Sequence, residues 1–227
     1  MSAALRATVT AGLLGASLAA CTPATETAPA TASSAGPPAS AGPEPATTGI
    51  PGSALLQAAD VNDAEPEALE QGDLAVYRPL RPCGTEPYPS DKTRTDAVAV
   101  RYVVDPTAAG TAPVVVVHFI GRHTPGGAAE QFDHIGAALK RCPGGLGEGE
   151  RQWTVLESSD DRMLVRIDEM ITYGGEKPAK VSYYAGLARV GDAVVTVTDL
   201  GWEDIGGSEK VARDLLGKAV QRAGTIS

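Results

Sequence analysis

The chain has 227 residues, with 19 Lys and Arg against 28 Asp and Glu, and a net charge of −9 at pH 7. That balance repels the phosphates of nucleic acid and of anionic lipid headgroups, so nucleic acid is excluded as a partner. Residues 1–20 carry one cation, Arg6, ahead of an apolar run from Ala7 to Ala20. The run is about 14 residues, short of the ~20 that span a bilayer, and reads as a secretory signal peptide. Residues 21–50 are read as a tether: Thr22 to Gly49 is built from Ala, Thr, Pro, Ser and Gly, with Glu26 and Glu44 as its charges. It lacks the apolar surface to offset ordering entropy and is expected to be disordered. It would reach roughly 30 Å as a coil and roughly 90 Å if polyproline-like. Residues 51–227 suit one folded domain.

Within that domain, Ser53 to Val61 reads as a short helix with Ser53 as its N-cap. Asn62 to Gly72 reads as an acidic loop, and Leu80 to Pro89, broken by prolines, as an irregular crossing. Ala97–Val104 and Ala112–Ile120 read as an antiparallel pair of strands. The continuous Val run of the second places it at the centre of a sheet, covered on both sides. From Pro125-Gly-Gly a helix is expected to Arg141, because Ala128, Phe132, Ile135, Leu139 and Cys142 form one apolar stripe. Strands are expected at Gln152–Glu157, Arg162–Ile171, Val181–Arg189 and Ala193–Asp199, the last two joined by a tight turn at Gly191-Asp192. A closing helix runs from Ser208 to Ala223, with Val211, Leu215, Ala219 and Val220 inward. Few crossover helices separate the strands. The fold class is therefore α+β: a single domain with a mostly antiparallel central sheet and helices packed on one face.

The three cysteines divide into two groups. Cys21 follows Leu18-Ala19-Ala20 at the end of the signal, which resembles the bacterial lipobox. The resemblance implies acylation of the Cys21 sulfur by diacylglycerol, cleavage before it, and a chain anchored to the outer face of the cell membrane. Two acyl chains suffice for stable anchoring. Loss of Arg6 with the signal moves the net charge from −9 to −10. Cys83 and Cys142 remain as an even pair in an oxidising compartment, where a disulfide is the natural outcome. Free or metal-binding thiols are the alternative, but neither has a second Cys or His at ligand spacing.

No residue pattern gives a catalytic signature. His118, His123 and His134 are the histidines. They show no helical i,i+4 pairing, so no metal site is assigned, with His118 expected in the sheet and His123 and His134 solvated. There is no Gly-x-Ser-x-Gly elbow, and Gly206-Gly207-Ser208 reads as helix entry. No cofactor is implied. Trp153, Trp202, Tyr183 and Tyr184 are either core anchors or the lining of a cleft. Trp202, in Leu200-Gly-Trp-Glu-Asp, is the surface candidate, and Trp202, Tyr183 and Tyr184 are taken as the lining of a ligand cleft.

The folded region resembles the PknH-like extracellular sensor domain of actinobacterial Ser/Thr kinases and stand-alone lipoproteins. The resemblance rests on Leu55-Leu56-Gln-Ala-Ala-Asp60-Val61, Cys83 in its Pro-rich crossing, the strand Val114–Ile120, the helix ending Leu-Lys-Arg-Cys142, the Trp153 strand and the closing hairpin. It implies an α+β fold with a central sheet, a large cleft and two disulfides, of which this chain has the cysteines for one. The expected function is a lipid-anchored, non-catalytic binding or sensor module for a small molecule or cell-envelope component. The alternative is an adaptor acting through a protein partner, with an envelope hydrolase behind both.

Overall fold

The computed structural model describes residues 49–226, apart from 71, 106–111, 173, 175 and 176. The expected signal peptide, Cys21 and the expected tether through residue 48 lie outside the described residues, as does the connection 106–111 between the first expected pair of strands. The described residues belong to one compact unit. Ile50, at the expected end of the tether, is instead 5% exposed and packs in the core. No helix among the described residues is long and apolar enough to cross a membrane.

Seven strands form one antiparallel sheet: β1 (Glu67–Ala68), β2 (Arg94–Val104), β3 (Val114–His123), β4 (Arg151–Ser158), β5 (Arg162–Ile171), β6 (Ala179–Val190) and β7 (Ala193–Asp199). Their spatial order is β1-β2-β3-β7-β6-β5-β4. The expected α+β class and antiparallel sheet are therefore present, and β3 is interior as its Val run implies. Two helices, α1 (Gly127–Arg141) and α2 (Glu209–Ala223), complete the fold. Gly191 turns the β6–β7 hairpin at φ 56°, where a glycine is at ease. Ser208 caps α2 through its hydroxyl, which accepts from the Val211 N–H.

The expected placement of both helices on one face is corrected. α1 buries Phe132, Ile135 and Leu139 with Val117, Val165, Ala185, Leu187 and Val194. α2 buries Leu215, Ala219 and Ala223 with Val116, Ile120, Val195 and Val197. Successive residues of β3 and β7 thus enter different cores, so the helices lie on opposite faces of the sheet. Every residue of β7 is buried. A strand buried along both sides needs cover on both, and two helices supply one each.

Two N-terminal readings also change. The expected helix Ser53–Val61 is two 3-10 turns, Gly52–Ala54 and Ala58–Asp60, with Leu55 and Gln57 extended. The cause is tertiary. The Leu56 N–H donates to His118 Nδ1 at 3.3 Å, and the Leu56 carbonyl accepts from the Tyr102 hydroxyl at 2.8 Å. Both backbone groups are taken by the core, which a continuous helix would forbid. The expected loop 62–72 contains β1, which pairs with β2 at Glu67↔Arg101 and carries an ion pair between the same residues.

Candidate functional site

Cys83 and Cys142 form a disulfide, 59 residues apart in sequence with Cα atoms 5.2 Å apart. It ties the Pro-rich crossing to the end of α1. Beside it lies a recess of about 450 Å³. One wall is Arg81, Pro82 and Gly84; the other runs from Gly144 and Gly145 to Glu150, Arg151 and Trp153. Each wall carries one half-cystine or follows directly from it, so the bond fixes their separation. Gly144 is at φ 69°, and a Cβ there would stand 1.8 Å from the Arg151 carbonyl oxygen. Only glycine lets the two segments meet. The Trp153 N–H then donates to the Pro143 carbonyl at 2.7 Å, holding the wall against the start of β4.

Both arginines of the recess are positioned from behind. Arg151 Nε donates to Glu169 Oε2 at 2.7 Å, and its guanidinium lies 5.5 Å from the centre of the Tyr77 ring. The Tyr183 hydroxyl donates to the other Glu169 oxygen at 2.9 Å, and Tyr77 meets Tyr183 edge-on at 6.4 Å. Burial pushes the Tyr77 phenol up to about 12, against the opposing pull of Arg151. Burial, then the neighbouring Glu169, pushes Tyr183 up as well. Both remain neutral hydrogen-bonding phenols at physiological pH. Arg81 pairs with Asp91 at 2.7 Å and lies 5.1 Å from the Tyr88 ring. The recess thus presents two preorganised guanidinium groups, one exposed carboxylate (Glu150) and glycine backbone, a lining suited to a polar ligand.

The expected cleft of Trp202, Tyr183 and Tyr184 is not assembled. Tyr183 and Tyr184 are consecutive in β6 and point to opposite faces of the sheet. Tyr183 is 8% exposed and belongs to the core beneath α1. Tyr184 pairs across the strands with Arg166 and Asp199, on the α2 side. Trp202 is half-buried in the loop after β7, bridged to Ile205 by paired backbone hydrogen bonds. That loop is clamped by the buried Asp199 carboxylate, which accepts from the Gly201 and Ser208 N–H groups at 2.8 and 2.9 Å. Burial pushes the Asp199 carboxyl up.

The histidines divide differently from expectation. His118 is in the sheet but fully sealed, and burial holds its imidazole down to about 3. His123, expected in solvent, is 3% exposed, with Nδ1 2.9 Å from the Thr93 hydroxyl. Its backbone N–H donates to the Asp192 carbonyl, in the turn between β6 and β7, at 2.8 Å. His134 is half-buried; its Nδ1 lies 2.7 Å from the Ser90 hydroxyl and its ring stacks on Tyr88. Among the described residues no group of three or more His, Cys, Asp or Glu is placed to hold a metal ion. The residues that sequence reasoning missed are Arg81, Glu150, Arg151 and Glu169. The one signal available, for Arg81, Glu150 and Arg151, was their nearness in sequence to Cys83 and Cys142; Glu169 arrives through the pairing of β5 with β4, opposite Arg151.

No family model and no curated protein sequence matches the chain. Among solved structures, the extracellular domain of PknH from Mycobacterium tuberculosis is similar, with 13% identity and a TM-score of 0.48, over 79% of this chain and the whole of that one. A likeness at that level carries neither ligand nor activity from one chain to the other.

Proposed function

We propose that this protein is a lipid-anchored, extracytoplasmic, non-catalytic binding module, and that the recess beside Cys83–Cys142 takes a polar small molecule or cell-envelope fragment. The observation that carries this is the disulfide that ties the two walls of the recess together. Such a bond persists in an oxidising compartment, in keeping with the signal peptide and the lipobox-like Cys21. The non-catalytic reading is supported by the state of the imidazoles: His118 is sealed in the core, and His123 and His134 are engaged by hydroxyls.

The test is thermal shift with a panel of soluble cell-wall saccharide and peptide fragments. At least one is expected to stabilise the protein. Glu150→Ala removes an exposed carboxylate that accepts from the Gly147 N–H. It is expected to weaken that binding about tenfold, the loss of one charge-assisted hydrogen bond, while leaving Tm unchanged. Replacing Cys83 and Cys142 together by Ser should abolish binding even under conditions where the domain stays folded. No stabilisation by any fragment overturns the reading.

The adaptor reading has one observation of its own. The turn Trp202–Ile205 holds Glu203 at φ 51° and leaves Ile205 55% exposed, so a rigid loop displays an apolar side chain. Photocrosslinking from position 205 in cells, recovering one specific partner, would favour it.

A further inference from the structure

α2 lies across β6 and β7 and reaches the end of β4, where Arg213 pairs with Glu157. On the same face, Gln152 and Thr154 of β4, Arg166 and Asp168 of β5, and Lys180, Ser182 and Tyr184 of β6 stand together, by the registers Gln152↔Asp168↔Ser182 and Thr154↔Arg166↔Tyr184. Asp168 is 1% exposed, and the loop after β7 packs beside it, the Gly207 N–H donating to the carbonyl of its cross-strand partner Ser182 at 2.8 Å. Its neighbours seal it: the Ser182 hydroxyl donates to Oδ1 at 2.6 Å, and Arg166 Nε donates to Oδ2 at 3.1 Å. Lys180 Nζ stands 3.7 Å from the same Oδ2.

One sealed carboxylate therefore sits under two cations. Arg166 neutralises it directly. Lys180 is too far to hydrogen-bond it and brings a second positive charge beside the first, a repulsion that neither Gln152, Thr154, Ser182 nor Tyr184 offsets. Arg166 is engaged through Nε. The Nη1–Nη2 edge of a guanidinium has the spacing that takes two oxygens of one anion. The side chains of Arg166 and Lys180 are 34% and 49% exposed.

We propose that Arg166 and Lys180 bind an oxyanion group, carboxylate or phosphate, with the buried Asp168 and Ser182 as positioning residues that hold the guanidinium flat against the sheet. The site is on the opposite face of the sheet from the disulfide recess and stands independently of it, since Arg151 and Glu169 point the other way along β4 and β5.

The experiment is an NMR titration of the full-length chain with inorganic phosphate and, separately, acetate, at constant ionic strength set by chloride. The Arg166 Nε–H and the Lys180 and Ser182 amide resonances are followed. Saturable shifts confined to these groups are expected, and the tighter of the two anions identifies the chemistry. Lys180→Gln, at an exposed position, should weaken binding about tenfold with Tm unchanged, and Arg166→Gln by at least as much. Substitution of Arg189, a cation elsewhere on the sheet, by Gln should leave it unaltered. Shifts that chloride reproduces, that spread over all surface cations, or that survive Lys180→Gln and Arg166→Gln overturn the proposal and show adventitious ion binding only.

Discussion

His118 is the residue whose chemistry departs furthest from its free state. Its Nδ1 accepts from the Leu56 N–H, so the proton of the neutral ring sits on Nε2, which is buried without a partner among the described residues. Burial holds the folded-state value down at about 3, against 6.5 for the free side chain. As pH falls below 6.5, the unfolded chain takes a proton that the folded chain refuses, so stability decreases. The slope is about 1.4 kcal/mol per pH unit, or about 2 kcal/mol between pH 6.5 and 5. His123, also lowered by burial and then by Arg94, adds to the loss in the same direction. Urea unfolding at pH 7, 6 and 5, above most carboxylate titration, should show the midpoint falling. His118→Asn should flatten the larger part of that slope; an unchanged slope would show that the imidazole is protonated in the folded state.

Among the elements, the loop from Leu200 to Gly207 is the most constrained. Gly201 is at φ 63°, and a Cβ there would stand 2.0 Å from the Ile205 carbonyl oxygen; one at Gly206 would stand 2.5 Å from that of Ser182. Gly201→Ala is expected to cost at least about 2 kcal/mol, because backbone, not a yielding side chain, blocks the methyl group. A denaturant midpoint checks it, with Gly217→Ala, where nothing lies within 4 Å, as the tolerated control. The regular elements were largely legible: β5 and β7 have the bounds that their alternation predicts, because each residue's environment repeats every second position. The expected pairing of Tyr183 with Tyr184 failed against that alternation, which sends consecutive strand residues to opposite faces. The failures at the N-terminus and at the recess have another cause, contacts distant in sequence. Leu56 is withdrawn from a helix by His118 and Tyr102, 62 and 46 positions away. β1, two residues long, exists through β2. The recess is lined by glycines and prolines without a period of their own, and becomes visible only once Cys83 and Cys142 are joined.

For the molecule as a whole, the two helices on opposite faces mean two cores separated by one sheet. Ile135 under α1 and Leu215 under α2 are each buried, at 0% and 7% exposure. Ile135→Ala and Leu215→Ala should each cost about 2–5 kcal/mol. Because they lie in different cores, the double variant should lose the sum to within about 0.5 kcal/mol, as measured by denaturant unfolding. Marked non-additivity would mean that strain crosses the sheet. The strand order has a further consequence. β7 is the last of the described strands, yet it sits between β3 and β6 and, among those strands, joins β1–β3 to β4–β6. Pairing so distant in sequence comes late. The sheet therefore cannot join its two halves until Ala193–Asp199 is available: the strand that comes last along the chain is the one that makes two separate ribbons into a single layer.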